Sequence, residues 1–171
     1  MVLNLILIVL ILFLLIVLSM IWPPDSPWSP WWKTDKKIAR IACKLAEIKK
    51  GEIVYELGSG NATFLNVAAK EFKAKGVGIE IDPLRAFISR IFLKLSGSEE
   101  NVKIIRSNFY KEDLSKADVI FVYLVPKALQ KLRPKFIKEL KRGSRIISYR
   151  YEIDLPLIKE DKENQLRLFR V

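Results

Sequence analysis

The 171-residue chain carries a formal net charge of +11 and contains no histidine and one cysteine, Cys43. Without histidine the chain lacks the commonest general base and zinc ligand and any Ser-His-Asp triad. A single cysteine excludes an internal disulfide and a Cys-x-x-Cys metal site, so we predict no bound metal. The length fits one domain plus an attachment.

Residues 1–22 are almost wholly apolar and uncharged. A run of this length can cross a bilayer as a helix. A signal peptide would begin with basic residues and end at a small-residue cleavage site, and the chain shows neither feature. We therefore expect a transmembrane helix over residues 1–22, with the lipid bilayer as a partner. Residues 23–33, rich in Pro and Trp, are expected to form an interfacial linker.

The distribution of charge predicts the orientation of this span. No cation precedes it, whereas Lys33, Lys36, Lys37 and Arg40 follow it. The positive-inside rule then predicts a single-pass membrane protein whose domain, residues 34–171, faces the cytoplasm. The remaining lysines are scattered without interleaved aromatic residues, which makes nucleic acid an unlikely partner.

The domain alternates helical and strand patterns. Thr34 is expected to N-cap a helix that ends near Ile48. Predicted strands are Ile53–Leu57, Val77–Ile81, Val102–Arg106, Ala117–Leu124, Ser144–Tyr149 and Gln165–Val171. Predicted helices cover residues 62–73, begin at Pro83 and begin at Pro126, and Pro134 is expected to kink the last one or start another. In the helix after Pro83, the residues expected to face the core are Phe87, Ile88, Ile91, Phe92 and Leu95. This alternation predicts a largely parallel sheet with helices on both faces.

A glycine turn joins the first strand to the next helix, in the stretch Glu56-Leu57-Gly58-Ser59-Gly60-Asn61. Backbone N–H groups at such a turn can hold an anionic or carboxylate-bearing ligand, and glycine lets that ligand approach closely. The dinucleotide fingerprint would require a third glycine where the chain has Thr63. An oxidoreductase is therefore disfavoured.

Two further strand ends carry polar residues that suit a nucleoside. Glu80 lies about twenty residues after the glycine turn, where a carboxylate can accept hydrogen bonds from a ribose diol. Asn108 follows the third strand and is positioned to meet an adenine amino group, with Phe109 against the ring. An Asn in an ordinary turn is the alternative for Asn108. In parallel sheets the carboxyl ends of the strands meet at one edge, so we expect these residues to lie together.

Together, Glu56-x-Gly58-x-Gly60, Glu80 and Asn108 resemble motifs I to III of the class I S-adenosylmethionine (SAM)-dependent methyltransferases. Longer segments, Pro30–Thr34, Gly51–Gly60, Gly78–Pro83 and Asp118–Pro126, are similar to a family of small membrane-anchored methyltransferases. Mitochondrial members of that family methylate lysines of inner-membrane proteins, such as an ATP synthase subunit or the adenine nucleotide carrier.

The resemblance implies a Rossmann-like class I methyltransferase fold, SAM as the cofactor, and a membrane or membrane-proximal protein as the lysine substrate. The cofactor-binding residues that it implies are Thr34, Glu56, Gly58, Ser59, Gly60, Asn61, Glu80, Ile81, Asn108 and Phe109. Tyr123 is the candidate for the acceptor pocket, with Tyr149 and Tyr151 behind it; aromatic core packing is the alternative.

The chain departs from the family pattern in three places. Ala62 stands where family members usually have glycine, and Asn108 stands at the adenine position where Asp is often found. The part after Tyr151 is short, so whether the final antiparallel hairpin is complete stays open. Two other functions stay open: methyl transfer to a lipid headgroup or small amphiphile, and a non-catalytic membrane-tethered basic module that binds a partner.

Overall fold

The computed structural model describes residues 2–21 and 32–171. The N-terminal apolar run forms helix α1, Val2–Ile21, whose side chains are described as far as Leu18 and are exposed. In the described part of the chain, no helix is long and apolar enough to cross a membrane.

The structure thus does not support the predicted transmembrane helix over residues 1–22, the bilayer as a partner or the single-pass location. Of the predicted interfacial linker, residues 23–31 lie outside the described residues.

Residues 32–171 form an α/β fold with one sheet. Its strands are β1 Ile53–Leu57, β2 Lys75–Glu80, β3 Val102–Arg106, β4 Val119–Val122, β5 Arg145–Tyr149, β6 Leu157–Asp161 and β7 Leu166–Arg170. The helices are α2 Lys36–Leu45, α3 Thr63–Phe72, α4 Pro83–Leu95 and α5 Pro126–Glu139. The strand order is β3-β2-β1-β4-β5-β7-β6. The first five strands pair in parallel, which confirms the predicted mostly parallel sheet.

The strands bury side chains on both faces of the sheet. On one face Val54 and Phe121 pack with α2, α3 and α4 in a first core cluster, and the Phe64 and Phe121 rings stack at 4.1 Å. On the other face Leu57 and Ile120 pack with α5. Parallel strands covered in this way are continuous apolar runs. The strand order reverses between β1 and β4, and this is where open α/β sheets bind ligands.

The C-terminal hairpin, whose completeness the sequence leaves open, is complete. β7 pairs antiparallel with β5, and β6 pairs antiparallel with β7. The sequence analysis missed β6 because Leu157–Asp161 lies at the sheet edge with no buried residue. It therefore shows no apolar alternation.

One local prediction about a helix end was also wrong. Asp35, not Thr34, caps α2, since its carboxylate accepts the N–H of Lys37 at 2.6 Å. Of the two alternatives for Pro134, the start of a second helix is excluded, because Pro134 lies inside α5, which runs from Pro126 to Glu139.

Helix α4 faces the sheet with the opposite side from the one predicted. Its buried residues are Arg85, Ala86, Ser89 and Leu93. The exposed apolar residues are Leu84, Phe87, Ile88, Ile91 and Leu95. Only Phe92 of the predicted core set is partly buried against the core. The helix packs closely on the sheet through small side chains, so its larger apolar stripe points to solvent.

Candidate functional site

The glycine turn after β1 is fixed to the neighbouring strand β2. Gly58 and Gly60 have positive φ angles, +75° and +51°, which glycine adopts without strain. The N–H groups of Gly58 and Ser59 donate to the carbonyl of Ile79 at 2.8 and 3.1 Å. Two of the N–H groups expected to face a ligand are thus paired with the protein. Those two donors are not free for a ligand, so what the turn can offer is close approach to its backbone.

Glu80 at the end of β2 is joined directly to this turn. Its Oε2 accepts the N–H of Gly60 at 2.8 Å, and its Oε1 accepts the N–H of Asp82 at 3.0 Å. Burial raises the pKa of Glu80, and these two hydrogen bonds offset part of the rise. Each carboxylate oxygen has a second lone pair, so Glu80 can still accept from a ribose diol. The two halves of the predicted pocket are therefore in contact.

Glu56, at the end of β1, has a buried carboxyl oxygen that is not hydrogen-bonded within the described structure. Its side chain is 5 % exposed, and its Oε2 has no hydrogen-bond partner among the residues of the described fold. Burial raises the pKa of Glu56 well above its ordinary value, and the nearby Glu80 raises it further. A buried acceptor without a donor is unfavourable. A ligand ammonium group would supply both the donor and the compensating charge.

The hydroxyl Oγ of Ser59 is the second buried oxygen at this site without a partner in the described chain. It lies above β2 at Gly78, where an added Cβ would come within 2.7 Å of it. Because Gly78 has no side chain, the glycine turn has room to lie against β2. Two unsatisfied oxygens, from Glu56 and Ser59, thus flank the same bend of the chain, as expected of a site built to receive a polar group.

A small cavity brings most of the predicted residues together. It is lined by Trp32, Thr34, Glu56, Gly58, Ser59, Gly60, Asn61 and Tyr123. Its volume is about 20 Å³, room for about one water molecule, whereas sites for drug-sized ligands occupy several hundred Å³. The enclosed space suits only the small end of a nucleoside ligand, whose remainder would lie over the open strand ends. Trp32 was not predicted as a site residue, although it directly precedes Lys33 and Thr34.

Asn108, Phe109 and Ile81 lie outside this cavity, at the ends of β2 and β3. The Oδ1 of Asn108 accepts the N–H of Tyr110 at 3.0 Å, which is the turn interaction given as the alternative. The Phe109 ring is partly buried against the second core cluster. The N–H of Ser107 donates to the carbonyl of Glu80 at 3.0 Å, so the end of β3 lies beside Glu80, as expected.

The three tyrosines of the predicted acceptor pocket lie on different faces of the sheet. Tyr123 and Tyr149 form a tilted pair with ring centroids 4.5 Å apart, whereas Tyr151 packs against the opposite core cluster. Burial raises the pKa of Tyr123, and the positive charge of Arg150 opposes part of that rise. Tyr123 therefore keeps its proton at neutral pH. The sequence analysis did not identify Arg150, whose contact with Tyr123 carries no local sequence signal.

Comparison with known proteins identifies the family. The family model of the ANTKMT methyltransferase domain matches residues 56–159, more than half of the chain. The chain belongs to this family. As a member of the ANTKMT methyltransferase family it is a SAM-dependent methyltransferase, which confirms the fold, the enzyme class and the cofactor predicted from the motifs.

Individual relatives of this ANTKMT-family chain agree on the activity. A protein-lysine N-methyltransferase of Saccharolobus islandicus is 34 % identical over 135 residues, covering 78 % of this chain and 82 % of the relative. A human lysine N-methyltransferase named for an ATP synthase subunit is 29 % identical over 119 residues and 69 % of this chain, but the match spans only 49 % of the human protein.

Solved structures also resemble the fold. The RNA methyltransferase of Salinibacter ruber, crystallised with S-adenosylhomocysteine, superposes with a TM-score of 0.74 at 29 % identity. The match covers 81 % of this chain and 92 % of that one. The ligand in that structure, S-adenosylhomocysteine, is the demethylated form of SAM.

Proposed function

We propose that this protein transfers a methyl group from SAM to the side-chain amine of a lysine in a protein substrate. The observation that carries the proposal is the unpaired Oε2 of buried Glu56, in the same cavity as the glycine turn and Tyr123. The names of the curated relatives support lysine as the acceptor and protein as the substrate class.

Each cofactor-facing residue has a role that its surroundings allow. The Glu56 carboxylate would accept from the ammonium group of the methionine moiety. The Gly58–Gly60 turn would let that moiety approach the backbone, with Thr34 and Asn61 beside it. Glu80 would accept from the ribose diol.

The adenine ring would lie over the end of β3. Asn108 would meet its amino group through the lone pair that Tyr110 does not use, because a carbonyl oxygen has two acceptor positions. Ile81 and Phe109 would supply apolar contact with the ring. Calorimetry with adenosine tests this assignment: Asn108→Ala should weaken adenosine binding, and an unchanged affinity would contradict it.

When bound, SAM supplies a methyl group already activated on a sulfonium sulfur. The chain's own task is to hold the acceptor in line and exclude water. A lysine must lose its proton before it reacts, and desolvation beside the cofactor together with nearby oxygens would favour the neutral amine. Because the pKa of Tyr123 is raised, its phenol would act as a hydrogen-bonding group and not as a base near neutral pH.

The test is transfer of labelled methyl from SAM to cell fractions by the full-length protein, followed by hydrolysis and separation of methylated lysines. Glu56→Gln serves as the matched inactive control. Label in methyl-lysine supports the proposal. Label that partitions with lipid indicates a lipid or amphiphile acceptor, and label in RNA indicates a nucleic-acid acceptor. SAM binding without transfer to any fraction indicates a binding module.

A further inference from the structure

The tyrosine pair beside the cofactor cavity is covered by a cation of the chain itself. The guanidinium carbon of Arg150 lies 5.5 Å from the ring centroid of Tyr123 and 5.4 Å from that of Tyr149. Both distances fall within the ~6 Å at which a cation is attracted by the face of an aromatic ring. Tyr123 also lines the cavity of the glycine turn. The two rings therefore form a cation-binding surface that is continuous with the cofactor site.

The backbone conformation that places Arg150 beside the two tyrosines is strained. Its φ angle is +69°, in the left-handed region that a residue with a Cβ disfavours by about 1–2 kcal/mol. Hydrogen bonds on both sides fix the strained peptide. The Arg150 N–H donates to the carbonyl of Gln165 at 2.7 Å, and Nη1 of Arg167 donates to the carbonyl of Arg150 at 3.0 Å. The hairpin thus orients the side chain towards the tyrosines.

A groove next to Arg150 offers its side chain a second position. The groove has a volume of about 470 Å³ and is lined by Arg150 together with residues of the β6–β7 hairpin. Its lining includes two cations, Lys162 and Arg167, and two carboxylates, of which Glu160 is paired with Arg167 at 2.9 Å. Since Arg150 is exposed, its guanidinium can leave the rings without disturbing the core, and the carboxylate of Glu152 would compensate its charge.

We infer that the Tyr123–Tyr149 pair is a binding site for the cationic ammonium of a lysine or methyl-lysine side chain, and that Arg150 occupies this site until the substrate displaces it. This inference rests on the proposed function, because it assigns the recognition step of the same reaction. Arg150 is a positioning residue: it keeps the aromatic surface covered when no acceptor is bound, and it moves into the groove when one arrives.

The test is binding of Nα-acetyl-Nε-trimethyllysine amide to the full-length protein loaded with S-adenosylhomocysteine, measured by calorimetry. The probe is permanently cationic and accepts no further methyl group, so its binding does not depend on turnover. Arg150→Ala removes the competing cation and should tighten binding about fivefold to thirtyfold, as expected from two exposed cation–π contacts. Arg150→Gly, which adopts positive φ freely, should behave in the same way.

Arg142→Ala is the matched control, because Arg142 is also exposed and lies before β5, at the opposite end of that strand from Arg150. Its affinity for the probe should equal that of the wild type. Tyr149→Leu added to Arg150→Ala should abolish the gain. Unchanged or weaker binding by both Arg150 variants would overturn the inference, as would a gain that survives Tyr149→Leu.

This test separates the inference from the proposed function. Tighter probe binding without any methyl-lysine product would leave the cation site standing and refute the enzymatic assignment. Lysine methylation without tighter binding by the Arg150 variants would leave the enzyme standing and refute the displacement of Arg150.

Discussion

Replacing Glu56 by Gln should stabilise the ligand-free protein and weaken cofactor binding at the same time. Glu56 is fully buried, and its pKa is raised well above its ordinary value. A carboxyl whose pKa is raised on folding contributes stability that is fully present below its unfolded pKa and is lost as pH rises through its folded pKa. Glutamine does not ionise, so the variant should keep the stability that the wild type loses.

The gain comes from the charge and not from the unpaired oxygen, because the glutamine amide leaves a neutral polar atom there without a partner. A buried polar group left unsatisfied costs about 1–3 kcal/mol and a charged one costs more, so we take the excess for the charge as about 1–3 kcal/mol. For a chain of this length, each kcal/mol changes Tm by roughly 2–4 °C. We therefore expect Glu56→Gln to raise Tm by about 2–12 °C at neutral pH. The difference should shrink as pH falls towards 4, where Glu56 is protonated in both states.

The cofactor side of the prediction has the opposite sign. A hydrogen bond to a charged group contributes about 1.5–3 kcal/mol, which corresponds to about a 10- to 150-fold weaker Kd for SAM. Thermal unfolding across pH and calorimetry with SAM measure the two effects on the same samples. A misfolded variant would lose both stability and affinity. Equal Tm values of wild type and variant at every pH, or an unchanged Kd for SAM, would refute the assignment of Glu56 as a buried, unpaired carboxyl group that binds the cofactor.

Three further substitutions test the site. Gly58→Val places a branched side chain at φ +75°, with its Cβ 3.3 Å from Leu124, and should abolish SAM binding in calorimetry. The control is Gly143→Ala, at φ +91° with open space around it. This variant should lose stability but keep its affinity for SAM. Glu80→Ala should weaken SAM binding about 10- to 100-fold, and an unchanged Kd would place the ribose elsewhere. Ala62→Gly should raise Tm, because Ala62 has φ +57° and glycine relieves about 1 kcal/mol there; a lower Tm would contradict that explanation.

The sequence predicted the glycine turn and its acids because their signals are local. Gly58 and Gly60 interrupt an apolar run within a few residues of Glu56, and each parallel strand delivers its last residues to the same edge of the sheet. Glu80 could therefore be assigned to the site from its position alone. The contact between Glu80 and Gly60 follows from the parallel pairing of β1 with β2.

Other features depend on contacts that no local pattern encodes. The spacing of apolar residues in α4 predicted a stripe, but which side meets the sheet depends on the fit of small residues such as Ala86. β6 has no alternation because neither of its faces is buried by the described residues. Arg150 follows Tyr123 by 27 residues in the chain, and the pairing of β4 with β5 brings the two together. The left-handed backbone conformation of Arg150, which directs its side chain to Tyr123, has no sequence signature.

The outward stripe of α4 has a consequence for the behaviour of the protein at high concentration. Leu95 is 84 % exposed and Phe87 57 % exposed, so neither contributes much to the free energy of folding. Large contiguous apolar surfaces of this kind favour self-association. Polar replacements at these two positions should therefore improve solubility while leaving the unfolding temperature nearly unchanged. Among the residues that the structure describes, none buries this apolar side of α4.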